Sequence, residues 1–214
     1  MSRRTNSPAQ PGQSDAQRIV FRPTSGIVFT LIAWAICAAV IVSSLVSGHG
    51  GLRPLVLALT GGWVIWLLLW RPSVVCYDDR AEFRNLFRDV TIPYALIDDV
   101  DTRFTLAVEA GGIRYSAWGA PAPGKVRAMN IRRGENPGQD LPHALREQGR
   151  VRPGDLTSTA SGAPATVIRR GLDERARAGV KGPSGAVAVA WRPVLIGVTA
   201  LLVGASIVTI ALGA

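Results

Sequence analysis

Two textures alternate along the chain. Ile27 to Val46 is an uncharged run of twenty residues, which at about 1.5 Å per helical residue matches a hydrocarbon core of about 30 Å. A second run, Leu55 to Trp70, ends in WVIWLLLW, with aromatics suited to a membrane interface. A third, Val194 to Ala214, carries no charged side chain. The pattern predicts spans at about 27–46, 52–70 and 191–214. The link from Ser47 to Gly51 is short enough to admit only a helical hairpin between the first two.

Between the second and third spans the period drops to two. SVVCY, AEFRNLF and DVTIP read as short strands, the first two joined by a turn at Asp78-Asp79. After a connector around Ala95 to Asp98, RFTLAVEA and IRYSAWG flank Gly111-Gly112, a two-residue hairpin signal. Gly119 to Pro164 is polar and rich in Gly and Pro, a linker texture in which Lys125 to Arg132 is a candidate closing strand. Ala165 to Ala178 has a helical apolar stripe, Val167, Ile168, Leu172 and Ala176, broken by Gly171. It fits either a cap on the β domain or a helix lying on a membrane surface. The predicted fold class is a membrane protein of α plus small β type. Its parts are a tail at 1–25, a transmembrane hairpin at 26–70, a β domain at 71–123, a basic linker at 124–164, an amphipathic helix at 165–179 and a third transmembrane helix at 191–214.

Composition agrees with this and adds an orientation. Of the 214 residues 48% are hydrophobic and only 18% charged, with a net charge of +9; soluble domains carry about 25% charge. The tail holds Arg3, Arg4, Arg18 and Arg22, and the segment from Arg71 to Arg192 holds 19 Lys and Arg against 14 acids. The hairpin turn offers Arg53 alone. By the positive-inside rule, the tail and residues 71–190 are expected in the cytoplasm and the C-terminus outside. Ser2-Arg3-Arg4 is too far from the first apolar run for a twin-arginine signal, and that run is too long for a cleaved one. An uncleaved anchor is expected.

An Arg-Pro pair after an aromatic or Leu recurs at four span edges: Phe21-Arg22-Pro23, Leu52-Arg53-Pro54, Trp70-Arg71-Pro72 and Trp191-Arg192-Pro193. Aromatics favour the headgroup layer, and Arg reaches lipid phosphate along its apolar stem. Phe21, Arg22, Trp70, Arg71, Trp191 and Arg192 are therefore expected to anchor the interface. No ionisable residue lies inside the three apolar runs, 27–46, 55–70 and 194–214, which argues against transport or a proton relay. Ala33 and Cys37, Ala35 and Ala39, and Ala200 and Gly204 have spacings suited to close helix packing, and Gly61-Gly62 in the second span would also allow close approach.

The order of these features resembles a known family. Two membrane helices ending in Trp-Arg-Pro are followed by Phe83-Arg84-Asn85, Ile92-Pro93-Tyr94, Ile97, Val100, Leu106 and Tyr115 to Trp118. Together they look like the bacterial PH-like domain membrane proteins, of the actinobacterial low-molecular-weight antigen type. The resemblance covers roughly residues 67–123 and departs from the family at Arg80-Ala81. It implies a PH-like β-barrel, a bacterial plasma membrane and no enzymatic activity. The Asp78-Asp79-Arg80 turn would repel a phosphate where lipid-reading PH domains hold basic residues, so specific inositol-lipid binding is not expected.

Candidate chemistry is thin. Gly119 to Lys125 matches the start of a phosphate-loop pattern, but Val126 replaces the Mg²⁺-ligating hydroxyl and Pro121 and Pro123 remove backbone donors. His49 and His143 fall on opposite sides of the expected membrane and cannot share a metal or a triad. Asp98, Asp99 and Asp101 lack the glycine and distal Glu of a calcium loop. Cys76 alternates inward on a strand as a small core residue, and Cys37 reads as apolar filler. No catalytic, cofactor or metal residue is predicted, and neither nucleic acid nor a small-molecule substrate is an expected partner. The expected partners are the lipid bilayer and a protein partner or second copy. The leading reading is a non-enzymatic membrane scaffold. Its alternatives are an accessory subunit docked through its helices, or an anionic-lipid-binding module using the linker and the helix at 165–179.

Overall fold

A computed structural model of the chain describes residues 18–47, 51–124, 153–179 and 185–212. Three helices are long and apolar enough to cross a membrane. The first is α1 (Thr24–Val46) and the third is α4 (Pro193–Ala211). Between them in sequence, α2 (Leu52–Ile65) continues into one π-helical turn, Trp66–Trp70, closed by a bond from Arg71 N to Trp66 O at 3.0 Å. Helix α2 is central, with α1 packed on one side and α4 on another. Gly26 near the start of α1 lies so close to the π turn that a Cβ there would meet Leu69 O at 2.6 Å.

The β region forms two antiparallel sheets. In the first, β1 (Ile19–Phe21), β2 (Ser73–Cys76), β3 (Arg80–Arg84), β4 (Arg88–Pro93) and β8 (Ala188–Trp191) lie side by side in that order. The second is β5 (Ile97–Asp101), β6 (Thr105–Ala110) and β7 (Ile113–Pro121). Neither sheet closes on itself, so the expected barrel is replaced by two open sheets. Their shared core is Val74, Phe83, Val90, Ile92, Leu106 and Val108, all buried. Helix α3 (Gly162–Arg177) covers it, inserting Ala165 and Ile168 while Val167 and Leu172 pack at the margin. Of the two expectations for this segment, the structure has the cap on the β domain.

The Asp78-Asp79 turn closes through Tyr77 N to Arg80 O at 2.9 Å. The Gly111-Gly112 hairpin has φ of 59° and 75°, left-handed at both positions, as a type I′ turn requires. Three strands extend the expected β domain. One, β1, comes from the tail; another, β8, precedes the third span; β5 occupies residues assigned to the connector. Part of the linker is also built in. Asp155 accepts from Thr102 Oγ1 at 2.6 Å and from both terminal nitrogens of Arg169, at 3.1 and 3.0 Å. The candidate strand from Lys125 to Arg132, with His49 and His143, lies outside the described residues.

Candidate functional site

Three strands of the first sheet join three helices at one end. Strand β1 runs into α1, the π turn runs into β2, and β8 runs into α4. Each junction is one of the aromatic-Arg-Pro motifs, whereas Leu52-Arg53-Pro54 starts α2 at the opposite end. Pro suits these corners because its fixed φ and missing N–H are tolerated at a helix start and after a helix end.

Two of the three junction arginines converge on one acid. Arg71 Nη2 donates to Asp89 Oδ1 at 2.9 Å, and Arg192 Nε donates to Asp89 Oδ2 at 2.7 Å. The Asp89 side chain is only 7% exposed. Arg192 N also donates to Phe87 O at 2.8 Å. Asp89 on β4 thus ties the exit of α2 and the entry of α4 to the same sheet. Both arginines, expected at the membrane interface, thus pair with a carboxylate of the chain itself. Phe21 packs against the domain core, Trp70 stacks on Trp34 with centroids 6.1 Å apart, and Arg22 and Trp191 are exposed.

A second link joins the two sheets at the same end. Asn85 Nδ2 donates to Ser116 O at 3.0 Å, and Trp118 N donates to Asn85 Oδ1 at 2.8 Å. One amide side chain therefore continues the backbone ladder from the β3–β4 hairpin to β7. Gly119 lets β7 cross the start of β2, where a Cβ would meet Pro72 C at 2.6 Å. This strand crossing also excludes a phosphate loop at Gly119 to Pro121.

Between the helices and the sheets these contacts leave an apolar groove of about 890 Å³. Its walls are Gly26 and Phe29 of α1, Leu68 and Leu69 of the π turn, Leu86 and Phe87 at the hairpin tip, and Trp118 and Trp191. A smaller cavity of about 410 Å³, half polar and half apolar in its lining, adjoins it, with Pro23, Ser25 and Pro121 lining both. Arg22, Arg88, Arg103 and Arg192 are exposed at the helix end, whereas towards the far turns exposed Asp78, Asp98, Asp99 and Glu109 are interleaved with exposed Arg18 and Arg114.

Among the helices, of the residues expected at packing contacts, Cys37 and Gly62 meet across α1 and α2. A Cβ on Gly62 would lie 3.8 Å from Cys37 Sγ and 3.6 Å from the Trp34 ring. Ala33 is half-buried, Ala200 is exposed, and a Cβ on Gly61 or Gly204 would meet nothing within 4 Å. Helix α4 instead uses hydroxyls that sequence reasoning passed over. Thr60 Oγ1 and Ser206 Oγ are 2.8 Å apart, and Trp63 Nε1 donates to Thr199 Oγ1 at 3.0 Å. Their signal is faint, since Ser and Thr are common in apolar helices where they bond their own backbone.

Among the described residues, no group of three His, Cys, Asp or Glu side chains is placed to hold a metal ion. Cys76 is buried, and burial pushes its thiol up to about 12, which keeps it protonated and unreactive near neutral pH. Comparison of the chain with protein-family models, with curated proteins and with solved structures returned no match.

Proposed function

We propose that the chain is a bacterial plasma-membrane protein of the PH-like type whose β domain is a non-enzymatic interaction platform. Helices α1, α2 and α4 cross the membrane, the domain faces the cytoplasm, and it presents its outer surface to a protein partner or to a second copy. The observation that carries this reading is the double pairing of Asp89 with Arg71 and Arg192. A domain tied to two spans by one buried carboxylate is held in a fixed pose against the bilayer, as a platform requires and a tethered domain does not. The exposed arginines at the helix end favour the side with anionic lipid.

A second reading, docking through the helices, has an observation of its own. An apolar groove of about 530 Å³ runs over α2 between α1 and α4, with Cys37, Ala58, Gly62 and Leu202 in its walls. Photocrosslinking residues placed at exposed positions of the full-length protein in cells separate the two. Adducts of one size from Asp98, Ile113 or Asp173, with none from Leu57 or Leu201, are expected for a platform. Adducts confined to Leu57 and Leu201 would instead assign the contact to the helices. No discrete adduct from any position would overturn both.

A further inference from the structure

The paired cavities at the helix–sheet junction have the form of an amphiphile site. We infer that they hold one phospholipid molecule with an anionic headgroup, drawn from the leaflet that faces the domain; this rests on the reading that the three helices cross a membrane. The two volumes, about 890 and 410 Å³, fall in the range of about 300–1,000 Å³ usual for small-molecule sites. The larger is lined mainly by apolar surface and the smaller is half polar, an asymmetry that suits the chain and headgroup of a lipid.

The larger groove is walled by hydrocarbon and ring edges. Phe29 and Leu68 belong to helices, so one flank is continuous with the acyl layer. The opposite flank is the Leu86-Phe87 hairpin tip and Trp118, which belong to the β domain. An acyl chain between them is sheltered from bulk lipid by protein. The tip is a tight two-residue loop, closed by Asn85 N to Arg88 O at 2.9 Å. Two large apolar residues there are costly in water and favourable against hydrocarbon.

The smaller cavity offers hydrogen-bond donors. Arg22, Thr24, Ser25 and Thr157 line it, and among the described residues no carboxylate lines either cavity. A phosphodiester has acceptor oxygens and no donor, so a guanidinium and hydroxyls suit it and a carboxylate would not. Arg88, on the rim of the larger groove, adds positive charge. The Asp89 cluster brings two guanidiniums against one carboxylate to the same end of the domain. The polar and apolar parts meet at Pro23, Ser25 and Pro121, as headgroup and chain must meet.

The test uses the full-length protein extracted in mild detergent, exposed in turn to phosphatidylglycerol and phosphatidylcholine, and read by native mass spectrometry. One phosphatidylglycerol retained per chain is expected, in preference to phosphatidylcholine. Arg22→Gln should reduce that preference about five-fold, the effect of one well-placed basic residue. Ser116→Trp, projecting an indole into the groove, should remove retention of both lipids. If Ser116→Trp fails to fold, the Arg22→Gln comparison still decides. Equal retention of both lipids, unchanged in Arg22→Gln, would overturn the assignment, as would a membrane-extracted protein that retains none. Crosslinks from residues 125–152 to Leu86 or Trp118 would overturn it too, by giving the groove to the chain's own segment. A protein absent from the membrane fraction would fail the spanning reading instead.

Discussion

Arg71 and Asp89 are 18 residues apart in sequence, and their ion pair is 2.9 Å long with side chains only 11% and 7% exposed. Arg192, 103 residues beyond Asp89, holds the other carboxylate oxygen and is 53% exposed. The three side chains are unequal in their dependence on one another. Arg71 has little access to water if Asp89 is lost, whereas Arg192 has ample access.

Asp89→Asn should therefore be more damaging than Arg192→Gln. Removing one partner of a buried pair costs about 3–5 kcal/mol, because the remaining charge is left unpaired. Arg192→Gln should cost under about 1 kcal/mol, since a half-exposed guanidinium is screened by solvent. The double variant Arg71→Met with Asp89→Asn should recover part of the loss. Thermal unfolding of the purified protein in detergent measures all three variants. Equal effects of Asp89→Asn and Arg192→Gln would mean that the cluster is not buried.

Gly171 interrupts the apolar stripe of α3, and Gly inside a helix costs about 1 kcal/mol relative to Ala. The structure supplies the reason for it: a Cβ would lie 2.5 Å from Tyr94 Cε2 and 2.8 Å from Cδ2. Tyr94 is buried, and its ring occupies the space a side chain would need. Gly171→Ala should thus destabilise the protein by about 1–3 kcal/mol, as overpacking does, in spite of the better helix propensity. Gly171→Ala combined with Tyr94→Leu should restore some of it. A stabilised single variant would show that α3 can shift away from the sheet.

The elements legible in the sequence are those with strong local signals. Three uncharged runs give three helices, and two glycines at 111 and 112 give a hairpin with left-handed φ at both. What escaped is non-local or short. Strand β1 has three residues and β8 has four, and both gain their place only by pairing with β2 and β4. Strand β5 carries Asp98 and Asp99 side by side, so its alternation is masked. Asp89 and Asp155 look like surface acids among arginines until the fold brings Arg71, Arg192 and Arg169 to them. The motif Trp-Arg-Pro was visible at once, but its carboxylate partner is set by tertiary structure. The groove is of the same kind, built by segments that meet only in three dimensions.

Thr60 and Ser206 hold α2 against α4 through hydroxyls 2.8 Å apart, and each also bonds to Leu202 O, at 3.2 and 2.9 Å. Interhelical hydrogen bonds in membranes average about 0.6 kcal/mol by double-mutant cycles. Thr60→Val and Ser206→Ala should each be mildly destabilising, with a coupling near that value. Unfolding of the four variants in detergent gives the cycle. A coupling of zero would leave packing around Leu202 as the whole of the contact.

High pH should destabilise the β domain. Burial raises the Cys76 thiol from its ordinary 9.0 to about 12, and raises the Tyr94 phenol above its ordinary 10.0. In the unfolded chain both groups release protons at their ordinary values. Between those values and the folded ones, the folded state binds more protons, so stability falls as pH rises. The slope is at most about 1.4 kcal/mol per pH unit for each group. Below about pH 8 neither group contributes any pH dependence, since both are protonated in both states. Urea unfolding of the full-length protein at steps from neutral to alkaline pH should show the midpoint begin to fall near 9. Cys76→Ala should move that onset up towards 10, where Tyr94 takes over. A midpoint that stays level through this range would mean that water reaches Cys76 and Tyr94 in the folded protein.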